Sequence, residues 1–147
     1  MKLVQAHAQI GSEILAQSNV PELKMAEEIA RFHHERWDGT GYPFGIGYTA
    51  IPLAARITAL ADVFDAMTHA RPYQQGRSVA DALQAIAALR GTQFDPDLTD
   101  LFLTLVPRLH REHGDLDAYL GQAARDSPSI QARQKIAASL KHVNGTR

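Results

Sequence analysis

The chain has 147 residues, a length that suits one domain with a single buried core. Its fifteen basic and sixteen acidic residues form no long run of either sign, which argues against a DNA or RNA partner and against binding to an anionic membrane surface. It has no cysteine and no apolar stretch long enough to span a membrane, so disulfides and thiolate metal sites are excluded and we expect a cytoplasmic protein.

The composition and the hydrophobic periodicity predict an all-α fold. A first helix is predicted over 2–17, ending at the stop signals of "SNVP", and a second over 22–37. The next ten residues, "DGTGYPFGIG", contain four glycines and one proline, which excludes a helix and predicts a loop. The glycines at 39, 41, 45 and 47 predict several positive φ angles there.

Three further helices follow the loop. One is predicted within 49–70, with Thr49 able to cap it and Pro52 in its first turn. The stretch "SVADALQAIAALRG" has a serine cap, an acidic first turn and a terminal glycine, which together mark a helix clearly. The next helix is predicted from Asp95 as cap and Pro96 as first residue, and Pro107 should kink or end it.

The C-terminal part has a weaker pattern. Two polar amphipathic stretches, 115–125 and 128–142, are separated by "DSPS". We interpret them as a helical tail that packs on the core or on a partner. The predicted division is therefore a main domain over 1–110 and a tail over 111–147.

Histidines and carboxylates are the metal ligands available to a chain without thiols. His33 and His34 are adjacent, and neighbours on a helix point about 100° apart. They would therefore not chelate one ion as an i, i+4 pair does, but could serve different ions of a polynuclear centre. Asp62 and Asp65 lie on an otherwise apolar helix, where an unpaired charge is costly. Asp65 is nearer the apolar stripe, but geometry alone does not choose between them.

Each of these residues also has an ordinary structural interpretation. A single histidine such as His7 is more often a surface residue or a hydrogen-bonded core residue than a ligand. The two aspartates could instead form ion pairs with Arg56 or Arg71. For "DGTGYP" the ordinary interpretation is a loop without a function.

Residues 33–103, with "HHE", "DGTGYP", "IPLAARI", "ADVFDA", "RPY" and "FDP" in order, closely resemble the GYP half of the HD-GYP domain. The upstream stretch "KLVQAHAQIGSEIL" resembles the histidine helix of the same family. The resemblance covers about 100 residues. It implies an all-helical bundle of the HD superfamily, whose members in this group hydrolyse cyclic di-GMP with two or three metal ions.

The resemblance also implies roles for individual residues. The metal-ligand positions fall on His7, His33, His34 and Asp62, so it favours Asp62 over Asp65. The substrate side comprises a phosphate-binding arginine and the loop that names the family. These substrate positions fall on Arg71, Gly41, Tyr42 and Pro43. The implied cofactors are divalent metal ions, iron or manganese first, and the implied ligand is cyclic di-GMP or a related nucleotide.

Two features of the family's pattern are not found in this sequence. The family's bridging aspartate belongs to an "HDxGK" motif, and the 147 residues contain no His-Asp pair. Only six residues precede His7, so we expect an N-terminally truncated domain that lacks the dyad, its lysine and their helices. The family commonly has lysine where this chain has Gln74. The four ligand positions suffice in number for one mononuclear site, but the catalytic set is not complete.

Three interpretations follow. The chain is part of a cyclic di-GMP phosphodiesterase, with weak activity or none by itself. Alternatively, it is a degenerate HD-GYP module that binds a nucleotide or a signalling protein without catalysis. A generic single-metal phosphohydrolase is the least favoured. Because the absent helices would cover apolar surface, we also expect self-association or reliance on another polypeptide.

Overall fold

The structure is a computed structural model that describes residues 2–69 and 76–127, and the regular elements in these ranges are helices. The six α-helices are, in chain order, α1 (Lys2–Leu15), α2 (Pro21–Phe32), α3 (Leu53–Thr68), α4 (Val79–Ala88), α5 (Pro96–His113) and α6 (Leu116–Asp126). A single 3-10 turn, Tyr48–Ala50, precedes α3. The prediction of an all-α fold is confirmed.

Helices α1 and α2 form a hairpin that approaches closely at one point. Five residues connect them, and Pro21 occupies the first helical position of α2, where its missing N–H is not needed. A Cβ added to Gly11 would lie 3.4 Å from the Cβ of Ala30, so the two helices are in van der Waals contact there. His7 lies one turn before Gly11 and therefore faces the last turn of α2.

The hydrophobic core lies between α3, α4 and the start of α5. Phe94 and Ile86 are almost completely buried, and they pack with Ala59 and Leu60 of α3. A second group of partly buried side chains surrounds this cluster: Val63, Phe64, Leu89, Leu98 and Phe102. This core fixes α3 against the turn at 89–95, which in turn supports the glycine-rich loop.

Long-range backbone hydrogen bonds hold the loop between α2 and α3. The N–H of Trp37 donates to the carbonyl of Gln93 at 3.1 Å, and that of Asp38 donates to the carbonyl of Thr92 at 2.9 Å. Within the loop, the N–H of Tyr48 donates to the carbonyl of Trp37 at 2.8 Å. Because these bonds satisfy backbone groups that no helix satisfies, the loop has a defined conformation despite its glycines.

Asp95 caps α5 and also pairs with Arg56 of α3. One carboxylate oxygen accepts the N–H groups of Asp97 and Leu98, which confirms the predicted cap. The other oxygen accepts from Arg56 Nη1 at 2.6 Å, in a pair whose side chains are only 17% and 6% exposed. This pair joins α3 to the start of α5 through a charge-assisted hydrogen bond.

Two predicted boundaries were wrong. Helix α2 ends at Phe32 rather than 37, because the chain turns away to make the loop's long-range hydrogen bonds. Helix α3 begins after Pro52, and Thr49 lies in the 3-10 turn instead of capping it. Pro107 was predicted to kink or end its helix. It does not end the helix, since α5 continues to His113. Inside a helix the ring removes one backbone hydrogen bond and crowds the carbonyl four residues earlier, so the predicted kink stays a prediction.

The chain forms two compact units, Met1–Leu103 and Thr104–Arg147. In the second unit, the Asp115 side chain accepts the N–H of Ala118 and caps α6, and the rings of His113 and Tyr119 stack 3.7 Å apart. Helix α6 corresponds to the predicted stretch 115–125, whereas the stretch 128–142 lies outside the described residues. No helix in the described ranges combines the length and the apolar character needed to cross a membrane.

The buried pair predicts a large difference between two Asp→Ala variants. Replacing Asp95 with alanine removes the cap and leaves Arg56 buried without its anion, so we expect a loss of about 3–5 kcal/mol in the free energy of unfolding. Asp100 also binds an arginine, Arg90, at 2.7 Å, but both side chains are about half exposed, so Asp100→Ala should cause a much smaller loss. Urea unfolding measures both. Equal losses would contradict a structural role for the Arg56–Asp95 pair.

Candidate metal centre

Three imidazoles from α1 and from the end of α2 converge on one point. The Nε2 atom of His7 lies 3.0 Å from Nε2 of His34 and 3.4 Å from Nε2 of His33. One ligand atom from each ring lies within 4.8 Å of the others, and the group contains no carboxylate. His7 is exposed, whereas His33 and His34 are partly buried. The hairpin contact near Gly11 brings His7 to the other two.

The backbone of α2 fixes the proton of His33. Its Nδ1 lies 2.9 Å from the carbonyl of Ile29 and 3.0 Å from that of Ala30. A carbonyl can only accept, so Nδ1 carries the hydrogen and the Nε2 of the neutral ring has a free lone pair. Protein metal sites commonly hold a histidine ligand in this way. Nε2 of His33 can therefore accept a proton or a metal ion.

The two separations from His7 Nε2 are compatible with ligands of one shared ion, and they are also ordinary hydrogen-bond distances between rings. Two nitrogens each bound at 2.0–2.1 Å in tetrahedral geometry lie roughly 3.3 Å apart. The observed 3.0 and 3.4 Å are close to this value. The prediction that His33 and His34 could serve different ions of a polynuclear centre stays a prediction. It assumed a helix through 37, whereas α2 ends at Phe32 and His34 lies in the turn after it.

A cavity of about 180 Å³ lies beside His33 and His34. Asp62 of α3 and Tyr42 of the loop also line it. Burial lowers the pKa of His34, and the neighbouring His33 and His7 lower it further, whereas the charge of Asp62 acts in the opposite direction. The net effect favours the neutral imidazole that a metal requires. The ring of Tyr42 stacks on His34 at 4.8 Å, and burial, then the nearby Asp62, raise the pKa of its phenol.

The loop packs tightly against the residues that follow the histidine pair. A Cβ added to Gly41 would overlap the backbone nitrogen of Arg36 and come within 2.5 Å of Glu35 Cα. Gly41 is therefore needed for close approach. Positive φ angles occur at Gly39 and Gly45 instead, and the peptide bond between Tyr42 and Pro43 is cis. The prediction of several positive φ angles in the loop is confirmed at these two glycines.

Two other candidate residues, Asp65 and Arg56, take part in ion pairs outside the three-imidazole group. Asp65 is exposed and lies 3.1 Å from Nδ1 of His69, away from the three-imidazole group. Arg56 pairs with Asp95, so the ordinary interpretation that Arg56 neutralises Asp62 or Asp65 was wrong. Arg71 and Gln74 lie outside the described residues.

Two residues next to the histidine pair carry contacts that the sequence did not reveal. Glu35 is only 4% exposed, and its Oε1 accepts the N–H of Phe44 at 2.7 Å. Arg36 lines the cavity and donates to Thr40 at 2.9 Å and to Gln93 at 2.8 Å. The only sequence signal for Glu35 is its place in "HHE", directly after the two histidines.

Residues 1–98 match the HD-domain family. The chain belongs to the HD-domain family. Its relatives and the GYP loop identify an HD-GYP domain. A cyclic di-GMP phosphodiesterase of Thermotoga maritima is 40% identical over 119 residues, which are 79% of this chain and 32% of that protein. The cyclic di-GMP phosphodiesterase response regulator RpfG of Xanthomonas campestris pv. campestris is 46% identical over 103 residues, 70% of this chain and 27% of that protein.

A solved structure shares the fold of the HD-GYP domain. The crystal structure of V-cGAP3, a cyclic GMP-AMP-specific phosphodiesterase of V. cholerae, superposes with a TM-score of 0.69 at 30% identity. The match covers 89% of this chain and 30% of that one. The chain thus spans about a third of the length of these relatives. HD-domain phosphohydrolases depend on metal ions, and the three-imidazole group suits that chemistry.

The close packing of Gly41 predicts a specific glycine requirement. Gly41→Ala should displace the loop from the backbone of Glu35 and Arg36, lower the unfolding temperature by several degrees and weaken metal binding, because His34 stacks on the next loop residue. Gly121→Ala is the matched control, since its Cβ would meet only the flexible end of Arg125 within α6. Thermal unfolding and calorimetric titration with Mn²⁺ measure both effects. A Gly41→Ala variant that binds Mn²⁺ as tightly as the unmodified chain would contradict this account.

Proposed function

We propose that this chain is the GYP-containing part of a metal-dependent phosphodiesterase that acts on a cyclic dinucleotide, cyclic di-GMP in the first place. The observation that carries the proposal is the convergence of three imidazole Nε2 atoms beside a cavity formed by the GYP loop. The relatives named above support the substrate class. The absence of long charged runs supports a small nucleotide rather than DNA or RNA. We also propose a cytoplasmic location.

In this proposal His7, His33 and His34 hold a divalent ion, iron or manganese first, with Asp62 as a further ligand. When bound, such an ion supplies positive charge beside the phosphodiester and lowers the pKa of a bound water. The chain's own contribution is orientation. The backbone of α2 holds the His33 ring, and Tyr42 packs on the His34 ring. Asp62 places negative charge at the edge of the same cavity.

The substrate side of the proposal involves the loop and one arginine. Gly41, Tyr42 and Pro43 would form the wall beside the bound nucleotide, and Arg71 would contact a phosphate. The described cavity of about 180 Å³ is smaller than the 300–1,000 Å³ that small-molecule sites usually need. It suits one phosphodiester group rather than a complete cyclic dinucleotide. This size supports a site to which other protein segments contribute.

We propose that the chain alone turns over its nucleotide slowly or not at all. The sequence contains no His-Asp pair, which is the motif that carries the bridging aspartate in the HD-GYP pattern, and a neutral imidazole has one lone pair and cannot bridge two close ions. A single ion per chain is the expected stoichiometry. The same observation supports the alternative function, a non-catalytic HD-GYP module that binds a nucleotide or a signalling protein.

A comparison of nucleotide binding and hydrolysis tests the proposal. We expect the manganese-loaded chain to bind cyclic di-GMP by calorimetry, with at most about a thousandth of the turnover of a complete family member, because a second close ion is missing. His33→Ala should abolish both metal and nucleotide binding. His110→Ala, which alters a histidine of α5 outside the group, is the matched control and should change neither.

The outcomes separate the two functions. Binding without turnover supports the non-catalytic module, whereas weak turnover lost in both His33→Ala and Asp62→Asn supports the phosphodiesterase. Rapid turnover by the unmodified chain would contradict the claim of an incomplete site. If the chain bound neither metal nor cyclic di-GMP, both functions would be wrong. A parallel titration with 3′3′-cGAMP tests the choice of nucleotide.

We further propose that the chain self-associates or binds another polypeptide through apolar surface. Ile10 and Ile14 of α1 are 54% and 74% exposed, and Leu53 and Ile57 of α3 are each at least half exposed. Exposed apolar side chains in such number on two helices favour association. Ile10→Glu/Ile14→Glu should shift the chain toward monomer in solution scattering. An unmodified chain that is already a monodisperse monomer would exclude self-association.

A further inference from the structure

Two buried polar atoms in the described part of the chain have no hydrogen-bond partner. They are Oε2 of Glu35 and Nε of Arg56. Glu35 is 4% exposed, and the side chain of Arg56 is 17% exposed. A buried carboxylate oxygen and a buried guanidinium N–H that both lack a partner are costly, and native proteins rarely leave such groups unsatisfied.

Both residues face the same small cavity. Its volume is about 10 Å³, and the remaining lining comes from Trp37, Ile51, Ala59, Gln93, Phe94 and Asp95. A volume of about 10–15 Å³ is what a single buried water requires, provided that two to four polar groups surround it. The cavity is too small for any larger ligand.

We propose that one ordered water occupies this cavity and bridges Glu35 and Arg56. Nε–H of Arg56 donates to the water oxygen, and the water donates one hydrogen to Oε2 of Glu35. Gln93 and Asp95 line the same cavity and provide further acceptors for the second hydrogen. This arrangement satisfies both unpartnered atoms, and each donor meets an acceptor.

The water completes a connection from the GYP loop to the core. Oε1 of Glu35 already accepts the N–H of Phe44, one residue after the GYP triplet. Arg56 is bonded to Asp95 at the start of α5. The path from Phe44 through Glu35, the water and Arg56 therefore fixes the loop against α3 and α5. Because His34 directly precedes Glu35, we assign Glu35 as a positioning residue for the three-imidazole group, whatever the substrate.

A crystal structure at about 1.5 Å resolution tests the water directly. The expected result is one well-ordered water within about 3.2 Å of both Glu35 Oε2 and Arg56 Nε. An empty cavity would overturn the proposal. A direct hydrogen bond between the two side chains, with no water between them, would also overturn it.

Substitutions of Glu35 test its positioning role. Glu35→Gln keeps an oxygen for Phe44 and a polar group for the water, so Mn²⁺ affinity should stay within about twofold. Glu35→Leu fills the space without either bond, and Mn²⁺ affinity should fall about tenfold or more, as for other groups that orient metal ligands. Amide hydrogen exchange of Phe44 should accelerate in the leucine variant alone.

The matched control is Glu13→Leu on the exposed side of α1. It should change neither the Mn²⁺ affinity nor the amide hydrogen exchange of Phe44. If Glu35→Leu folds and retains both the Mn²⁺ affinity and the Phe44 protection of the unmodified chain, Glu35 does not position the site. If the leucine variant does not fold, the glutamine variant still decides. A large loss of Mn²⁺ affinity in Glu35→Gln would then contradict the positioning role, because the glutamine keeps the bonds to Phe44 and to the water.

Discussion

The arrangement of the site depends on where α2 ends. If the helix continued through His34, the two adjacent imidazoles would point about 100° apart. They could then not chelate one ion as an i, i+4 pair does. The chain instead leaves the helix after Phe32, and His33 forms its C-cap while its Nδ1 donates to the last turn. His34 lies in the turn that follows. Both Nε2 atoms then face His7, which the close contact near Gly11 holds opposite.

The end of α2 is in turn fixed by long-range contacts. Trp37 and Asp38 donate backbone hydrogen bonds to the turn at 92–93, and Gly41 packs against the backbone at 35–36. These bonds satisfy groups that a longer helix would otherwise satisfy, so the loop competes successfully with continued helix. The Arg56–Asp95 pair and the Phe94 core hold that turn in place. The buried ionic pair and the metal-site geometry are therefore connected parts of one structure.

Much of the fold could be predicted from the sequence because its signals are local. Ser78 and Asp95 are helix caps in the structure, and the glycine-rich stretch is a loop. The family resemblance was confirmed as well. The end of α2 could not be predicted, since it depends on hydrogen bonds between residues more than fifty positions apart. The burial of Glu35 was missed because its neighbours Phe44 and Arg56 lie 9 and 21 positions along the chain, and no local pattern connects them to it.

We propose that His7, His33 and His34 share one metal ion in this chain. Anomalous diffraction at the manganese absorption edge, from crystals grown with Mn²⁺, tests it most directly. We expect one anomalous peak per chain, within about 2.3 Å of all three Nε2 atoms. Two peaks, with His33 bound to one ion and His34 to the other, would contradict a shared ion. They would support the polynuclear centre that the adjacency of the two histidines allows.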